Sequence, residues 1–171
     1  MGYFSTSEQR YDSSEHFSTV DKINLSEENT GVYLNEFIRM MNVKAAELDL
    51  VQTRFSNPHG LQNAMNVSSA KDMLTLSVYA SQNRLFRQVM NKEMKRYEYF
   101  SDEFRSDKEI KWWTNTNVLL SKGWEGVKTG QTITAGCCLS SLKNGIYVVV
   151  LNCIDIERRF TDTEKLYNWY M

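Results

Sequence analysis

The pattern of apolar and polar positions predicts helices in the first half of the chain. Apolar residues recur at helical spacing from Tyr33 to Leu48, which predicts an amphipathic helix with one buried face. A second helix is predicted to begin at Ser68-Ser69, because a serine N-cap with Asp72 in the first turn satisfies free backbone N–H groups. A further turn or two of helix is predicted around residues 85–89. The apolar face of the first helix would consist of Leu34, Phe37, Ile38, Met41, Ala45 and Leu48.

The last third of the chain instead predicts antiparallel strands closed by a helix. Segments 125–131, 135–142 and 146–153 have strand length, and Asn144-Gly145 between the last two is a strong hairpin signal. Residues 158–170 return to helical spacing. Segments 93–100 and 108–114 mix charged and aromatic residues and are compatible with short strands. Helices on both sides of an antiparallel sheet indicate the α+β fold class.

Composition narrows the class of protein. The 171 residues fit one domain, and 42% hydrophobic residues, 24% charged residues and a net charge of −1 are typical of soluble globular proteins. Bases and acids alternate, as in Lys108, Glu109 and Lys111, which argues against a nucleic-acid partner. The longest apolar run, Ile146 to Leu151, is too short to cross a bilayer, and no signal-peptide pattern is visible. Neither the cellular location nor the oligomeric state follows from these features.

The cysteines and histidines predict no metal, cofactor or disulfide framework. Cys137, Cys138 and Cys153 are an odd number without C-x-x-C spacing, so buried reduced thiols are expected. The two histidines, His16 and His59, are too few for a multi-histidine metal centre. We therefore expect a site built from other side chains.

Seven short segments of the sequence are informative as an ordered set, although each of them alone is weak evidence. Lys128-Thr129-Gly130 alone is weak evidence, since a K-T-G tripeptide arises by chance in roughly a few per cent of chains this long. By itself it is better interpreted as an exposed strand end with a solvated lysine. The other segments include N-P-H-G-L at 57–61 and A-G-C-C-L at 135–139. The full set is 37–42 with Ala45-Ala46, 53–61, 68–73, 115–117 with 119–120, 126–130, 135–139 and 159–160.

Together these segments resemble the serine-type D-alanyl-D-alanine carboxypeptidases, the low-molecular-weight penicillin-binding proteins, whose acyl-serine sites contain K-T-G. The resemblance implies a partial β-lactamase/transpeptidase-like fold, an antiparallel sheet with packed helices. Residues 31–171 would be the C-terminal part of the catalytic domain, truncated at its N-terminus, and residues 1–30 a poorly ordered polar lead-in. The implied ligand is a D-Ala-D-Ala-type peptide or a β-lactam, and no cofactor is implied.

The resemblance also implies a role for each residue of the K-T-G strand. Lys128 would be catalytic, supplying positive charge for the substrate carboxylate and for proton transfer. Thr129 would offer its hydroxyl to that carboxylate, and Gly130 would let substrate backbone approach the strand. Gln131 would contribute a backbone N–H to the oxyanion hole. Thr132 completes the expected substrate-binding strand.

The serine nucleophile that the resemblance calls for is not identified. Three stretches match its S-x-x-K motif by letter, namely Ser68 to Lys71, Ser140 to Lys143 and, with threonine, Thr19 to Lys22, and all are rejected by their positions. The family's S-x-N motif aligns weakly with Ser18-Thr19-Val20, which leaves Ser18 as a further substrate-binding candidate. We therefore expect this chain alone to be inactive.

Two interpretations of that gap stay open. The chain is either part of a serine D,D-carboxypeptidase or an inactive relative that binds a peptide or a partner at its sheet edge. A β-lactamase or esterase on the same fold is a lesser alternative, which N-P-H-G-L and A-G-C-C-L disfavour.

The remaining conspicuous residues are predicted to be structural. His59 would fix its loop, since the family chemistry uses no histidine base. Asn115 and Asn117 would hold backbone turns, because asparagine mimics backbone hydrogen bonding. Three of the four tryptophans, Trp112, Trp113 and Trp124, are candidates to line a groove, but buried packing is the favoured interpretation for such large apolar side chains.

Overall fold

A computed structural model of the chain describes residues 27–100 and 108–171. Two helices begin close to the residues that the sequence predicts. Ser69 caps the second helix, as predicted, and Asp155 caps the last helix, which starts two residues before the predicted residue 158. Thr19, Lys22 and Ser18 lie outside the described residues. The elements in chain order are α1 (Glu27–Glu47), α2 (Ala70–Ala80), α3 (Arg84–Met90), β1 (Met94–Phe100), β2 (Lys108–Thr114), a 3-10 helix (Val118–Lys122), β3 (Glu125–Thr132), β4 (Gly136–Lys143), β5 (Ile146–Cys153) and α4 (Ile156–Tyr170).

The described residues divide into two units, with the boundary between Phe37 and Ile38. In the first unit, Leu34 and Phe37 are 44% and 52% exposed, so the predicted buried face of α1 is wrong there. In the second unit, Ala45 is buried as expected. A helical period identifies an apolar stripe, but only a covering element buries it. Everything described below lies in the second unit.

The second unit is centred on an antiparallel sheet with strand order β3-β4-β5. Asn144 and Gly145 have φ angles of 50° and 81°, the left-handed conformations that a tight hairpin turn requires. The three predicted strands and their hairpin are therefore confirmed. The α+β class is confirmed as well.

The two faces of this sheet are covered by different helices. One face packs against α4 through an apolar cluster, in which Trp124 meets Tyr167 edge to face at 5.2 Å. The opposite face meets α2, where the Ser77 and Ser140 hydroxyls are 2.7 Å apart and buried. Successive strand residues point to opposite faces, so Leu139 packs in the apolar cluster under α4 while Ser140 faces α2. The apolar cluster consists of Leu119, Trp124, Leu139, Val148, Val150, Phe160 and Tyr167.

Strands β1 and β2 form a separate two-stranded antiparallel ribbon. Trp112 and Trp113 on β2 are 60% and 57% exposed, so their predicted burial is wrong, whereas Trp124 is buried as expected. The ribbon is a single layer, and within the described residues no second layer covers these two indoles.

The turn residues behave as predicted. The Asn115 side-chain amide donates to the carbonyls of Met90 and Lys92, and the Asn117 side-chain oxygen accepts the Leu119 N–H. Both asparagines therefore hold the backbone that leads into the K-T-G strand. All three cysteines are free thiols, but only Cys137 is buried. The expected burial is wrong for Cys138 and Cys153, which are partly exposed.

Two searches cover only the described ranges 27–100 and 108–171. No helix there is long and apolar enough to cross a membrane. The same residues contain no cluster of three or more histidine, cysteine or acidic side chains placed to hold a metal ion.

Candidate active site

The first part of the K-T-G strand is covered by the end of α3. The Gly126 N–H donates to the Asn91 side-chain oxygen at 2.9 Å. A Cβ added at Gly126 would lie 2.2 Å from the Met90 carbonyl oxygen, so this close approach of two backbones requires glycine. Arg87 and Asn91 also hydrogen-bond the Glu125 carboxylate. The Arg87 hydrogen bond is the main reason that the pKa of Glu125 is lowered.

The second part of the strand, residues 128–132, has an open outer edge. Its inner edge pairs with β4, in a register that joins Lys128 to Ser140 and Gly130 to Cys138. Among the described residues no strand pairs with its outer edge. An open edge of this kind carries free backbone donors and acceptors, to which an extended peptide can add as a further strand.

Lys128 and Thr129 point to opposite faces of the sheet. Lys128 is exposed, shares the α2 face with its partner Ser140, and donates its ammonium to the Thr129 carbonyl. Thr129 is buried, and its hydroxyl forms a short hydrogen bond with the Thr116 hydroxyl. Thr116 lies between the two turn-forming asparagines, so the 115–117 segment positions the threonine of K-T-G. Sequence reasoning had assigned no role to Thr116.

A second cation lies behind the strand. Arg159 on α4 is 6% exposed, and its Nη1 donates to the Gly130 carbonyl at 3.4 Å. Its guanidinium carbon lies 4.7 Å from the Phe160 ring centroid. Its Nε has no hydrogen-bond partner, and no carboxylate pairs with it, within the described part of the chain. Arg159 therefore brings close to Gly130 a positive charge that has no acidic partner among the described residues.

Sequence reasoning included Arg159 in a motif but missed this placement. The available signal was the spacing of Arg159, Thr163 and Tyr167, which puts them on one helical face. The structure shows that all three are buried. A buried arginine is uncommon unless a negative group pairs with it. Its nearness to Gly130, however, depends on how α4 packs on the sheet.

The loop before α2 is held by a buried carboxylate. Asp72 accepts hydrogen bonds from the Thr53 hydroxyl at 2.7 Å and from the Gln52 N–H at 2.8 Å. The Thr53 hydrogen bond is the main cause of a lowered Asp72 pKa.

His59 Nδ1 accepts the Leu61 N–H at 3.1 Å, which confirms the predicted loop-fixing role of this histidine.

Two of the three S-x-x-K matches lie within the described residues. Ser140 is buried against Ser77, while the Lys143 ammonium lies 5.4 Å from the centroids of the Trp124 and Tyr167 rings. The positions of Ser140 and Lys143 on β4 place them on opposite faces. Ser68 precedes the α2 cap and hydrogen-bonds the Thr53 hydroxyl at 2.8 Å. Among the described residues, the hydrogen-bond partners of the Ser68 and Ser140 hydroxyls are Thr53, Ser69 and Ser77, and no hydrogen bond joins either serine to the lysine of its own motif.

The sequence of the chain identifies its family. A sequence profile described as D-alanyl-D-alanine carboxypeptidase matches residues 21–153. The chain belongs to this family. The D-alanyl-D-alanine carboxypeptidase DacF of Bacillus subtilis is 38% identical over 121 residues, which are 64% of this chain and 28% of that protein.

Solved structures extend the likeness to the fold. The DD-transpeptidase of Streptomyces K15 superposes with a TM-score of 0.70 at 32% identity, covering 78% of this chain and 53% of that one. Penicillin-binding protein D2 of Listeria monocytogenes in its cefotaxime-bound form gives a TM-score of 0.61 at 30% identity, covering 78% and 54%. The predicted family and transpeptidase-like fold are confirmed. The chain spans about a quarter to about half of the length of these relatives.

Proposed function

We propose that this chain supplies the substrate-binding strand of a serine-type D-alanyl-D-alanine carboxypeptidase site. The observation that carries the proposal is the open edge at residues 128–132, with the Lys128 and Arg159 cations near it and the Thr129 hydroxyl on the same strand. A peptide that ends in a carboxylate matches this arrangement, because charge-assisted hydrogen bonds to a carboxylate are strong and directional. Membership of the carboxypeptidase family supports D-Ala-D-Ala as the end of that peptide.

The proposed reaction is acyl transfer through a serine. The hydroxyl attacks the penultimate carbonyl, D-alanine leaves, and water hydrolyses the acyl-enzyme. In this scheme Lys128 holds the carboxylate and assists proton transfer, and the Gln131 N–H donates to the oxyanion. Thr132 would continue the strand that pairs with substrate backbone. A β-lactam would enter the same site by its own carboxylate, and the cefotaxime-bound form of the Listeria relative supports this ligand class.

Binding is tested by titrating the chain with diacetyl-L-Lys-D-Ala-D-Ala while recording amide NMR shifts. We expect the largest shifts at residues 128–132, and about tenfold weaker binding for Lys128→Met, since losing one charged hydrogen bond costs about 1.5 kcal/mol. Lys122→Met is the matched control, because Lys122 pairs with Glu164 at 3.0 Å. The same peptide with a C-terminal amide should bind poorly. Equal binding of acid and amide would refute the proposed carboxylate site.

Acylation is tested with a fluorescent penicillin. We expect no covalent label on the 171-residue chain, because we predict from their positions in the sequence that none of the three S-x-x-K matches is the nucleophile pair. A stable label would contradict this expectation. Ser68→Ala, Ser140→Ala and Thr19→Ala would then show whether one of the three motif hydroxyls reacts.

A further inference from the structure

Two cysteines on neighbouring strands lie directly opposite each other. Cys137 on β4 and Cys153 on β5 are register partners in the antiparallel pair. Cα atoms of directly opposed residues lie about 4.5–5.5 Å apart, inside the range of about 4.4–6.8 Å found in disulfides. Directly opposed side chains also share one face of the sheet. The pair therefore satisfies the backbone requirement for a cross-strand disulfide.

A β-bulge creates this juxtaposition. Leu139 pairs with Val150, and an unbroken register would place Asn152 opposite Cys137. The register shifts between these pairs, and Asn152 adopts a left-handed φ of 56°, so Cys153 takes the position instead. Gly136 is fitted to the bulge, because its φ is 62° and an added Cβ would lie 2.7 Å from the Asn152 side-chain oxygen.

The two thiols differ in access. Cys137 is 3% exposed, whereas Cys153 is partly exposed and packs at the margin of the apolar cluster. Burial raises the pKa of Cys153, so its reaction with an oxidant should accelerate as pH rises. Cys153 is thus the thiol that an oxidant in solution reaches first, and Cys137 is the thiol opposite it.

We infer that Cys137 and Cys153 are a redox-active pair that closes a β4–β5 disulfide on reaction with a low-molecular-weight disulfide. The Cys153 thiolate attacks oxidised glutathione, forming a mixed disulfide and releasing one glutathione thiolate. The Cys137 thiolate then attacks the Cys153 sulfur and releases the second glutathione. Two protein thiols lose two electrons and two protons, and one glutathione disulfide becomes two glutathione thiols.

The bond would act on the strand next to the candidate active site. Cys137 pairs with Cys153 on one side and with Gln131 on the other. Closing the disulfide fixes β4 at the level of Gln131. Because a disulfide restricts the unfolded chain, oxidation should also raise the temperature of thermal unfolding.

The test exposes the full chain to oxidised glutathione at pH 8, followed by thiol counting and peptide mass mapping. We expect free thiols to fall from three to one, with residues 137 and 153 linked. Cys138→Ser is the matched control: its thiol hydrogen-bonds the Ala135 carbonyl beside the pair, and the variant should still close the bond. Cys137→Ser and Cys153→Ser should both abolish the bond and the rise in unfolding temperature.

Three outcomes would overturn the inference. They are three persistent free thiols, a disulfide that includes Cys138, and bonds formed only between chains. If Cys137→Ser fails to fold, the Cys153→Ser variant still tests the inference, because Cys153 is partly exposed and its substitution should be tolerated better. Because the readout is thiol chemistry, it is independent of peptide binding and of the proposed function.

Discussion

The two faces of the β3-β4-β5 sheet bury different kinds of side chain. Leu139 and Ser140 are neighbours in the chain and are 1% and 8% exposed, yet Leu139 joins the apolar cluster under α4 and Ser140 hydrogen-bonds Ser77 on α2. Apolar burial is stabilising in itself, whereas a buried hydroxyl needs a partner to offset its desolvation. The comparison suggests that the α4 face holds the fold together, while the α2 face, which Lys128 shares, keeps polar groups in place.

The largest expected effect is on the α4 face. Leu139→Ala should lower the free energy of unfolding by about 3 kcal/mol, because it removes a fully buried side chain and leaves a cavity. Chemical denaturation monitored by far-UV circular dichroism measures the change. A loss no greater than that of Ser140→Ala would break the contrast between the faces.

Arg159 is a buried charged residue on the α4 face. Arg159→Met should weaken binding of a D-Ala-D-Ala peptide at least tenfold, about 1.4 kcal/mol, because a carboxylate bound near Gly130 loses a cation. Stability should change little, since the guanidinium has no acidic partner among the described residues. Peptide titration and denaturation of the same variant separate these effects. Unchanged affinity with a large loss of stability would make Arg159 purely structural.

The α2 face should respond more weakly than the α4 face. Ser140→Ala should cost about 1 kcal/mol of unfolding free energy, because one buried hydrogen bond is lost. The Ser77 hydroxyl keeps its bond to the Met73 carbonyl at 2.6 Å, so no donor is left unsatisfied. A double-mutant cycle with Ser77→Ala isolates the pair. A coupling energy near zero would show that the two hydroxyls act independently.

The smallest expected effect is at the contact between β3 and α3. Glu125→Gln should cost at most about 0.5 kcal/mol at pH 7, because the Arg87 and Glu125 side chains are 48% and 34% exposed and solvent screens the pair. The pKa of Glu125 is lowered, so its contribution is present above the unfolded glutamate pKa of about 4.3 and is lost as pH falls through the folded value. Stability curves of both proteins should therefore converge in acid. A difference that grows below pH 4 would contradict this linkage.

Residues close in sequence were the predictable part of this molecule. The Asn144-Gly145 turn, the Ser69 cap and the strand segments all appear where their local chemistry places them. Trp112 and Trp113 were mispredicted, because aromatic content indicates a strand but not whether another layer covers it. The roles of Lys128, Thr129, Gly130, Gln131 and Thr132 stay predictions that the binding experiment tests.

The sequence by itself determined the family and the order of elements, because turn residues, caps and periodicity act between near neighbours in the chain. Tertiary structure alone decided which distant groups meet. Arg159 reaches Gly130 only because α4 packs on the sheet, and Cys153 faces Cys137 only because a bulge at Asn152 shifts the register. Such contacts depend on packing and on strand register, and no local pattern specifies either one.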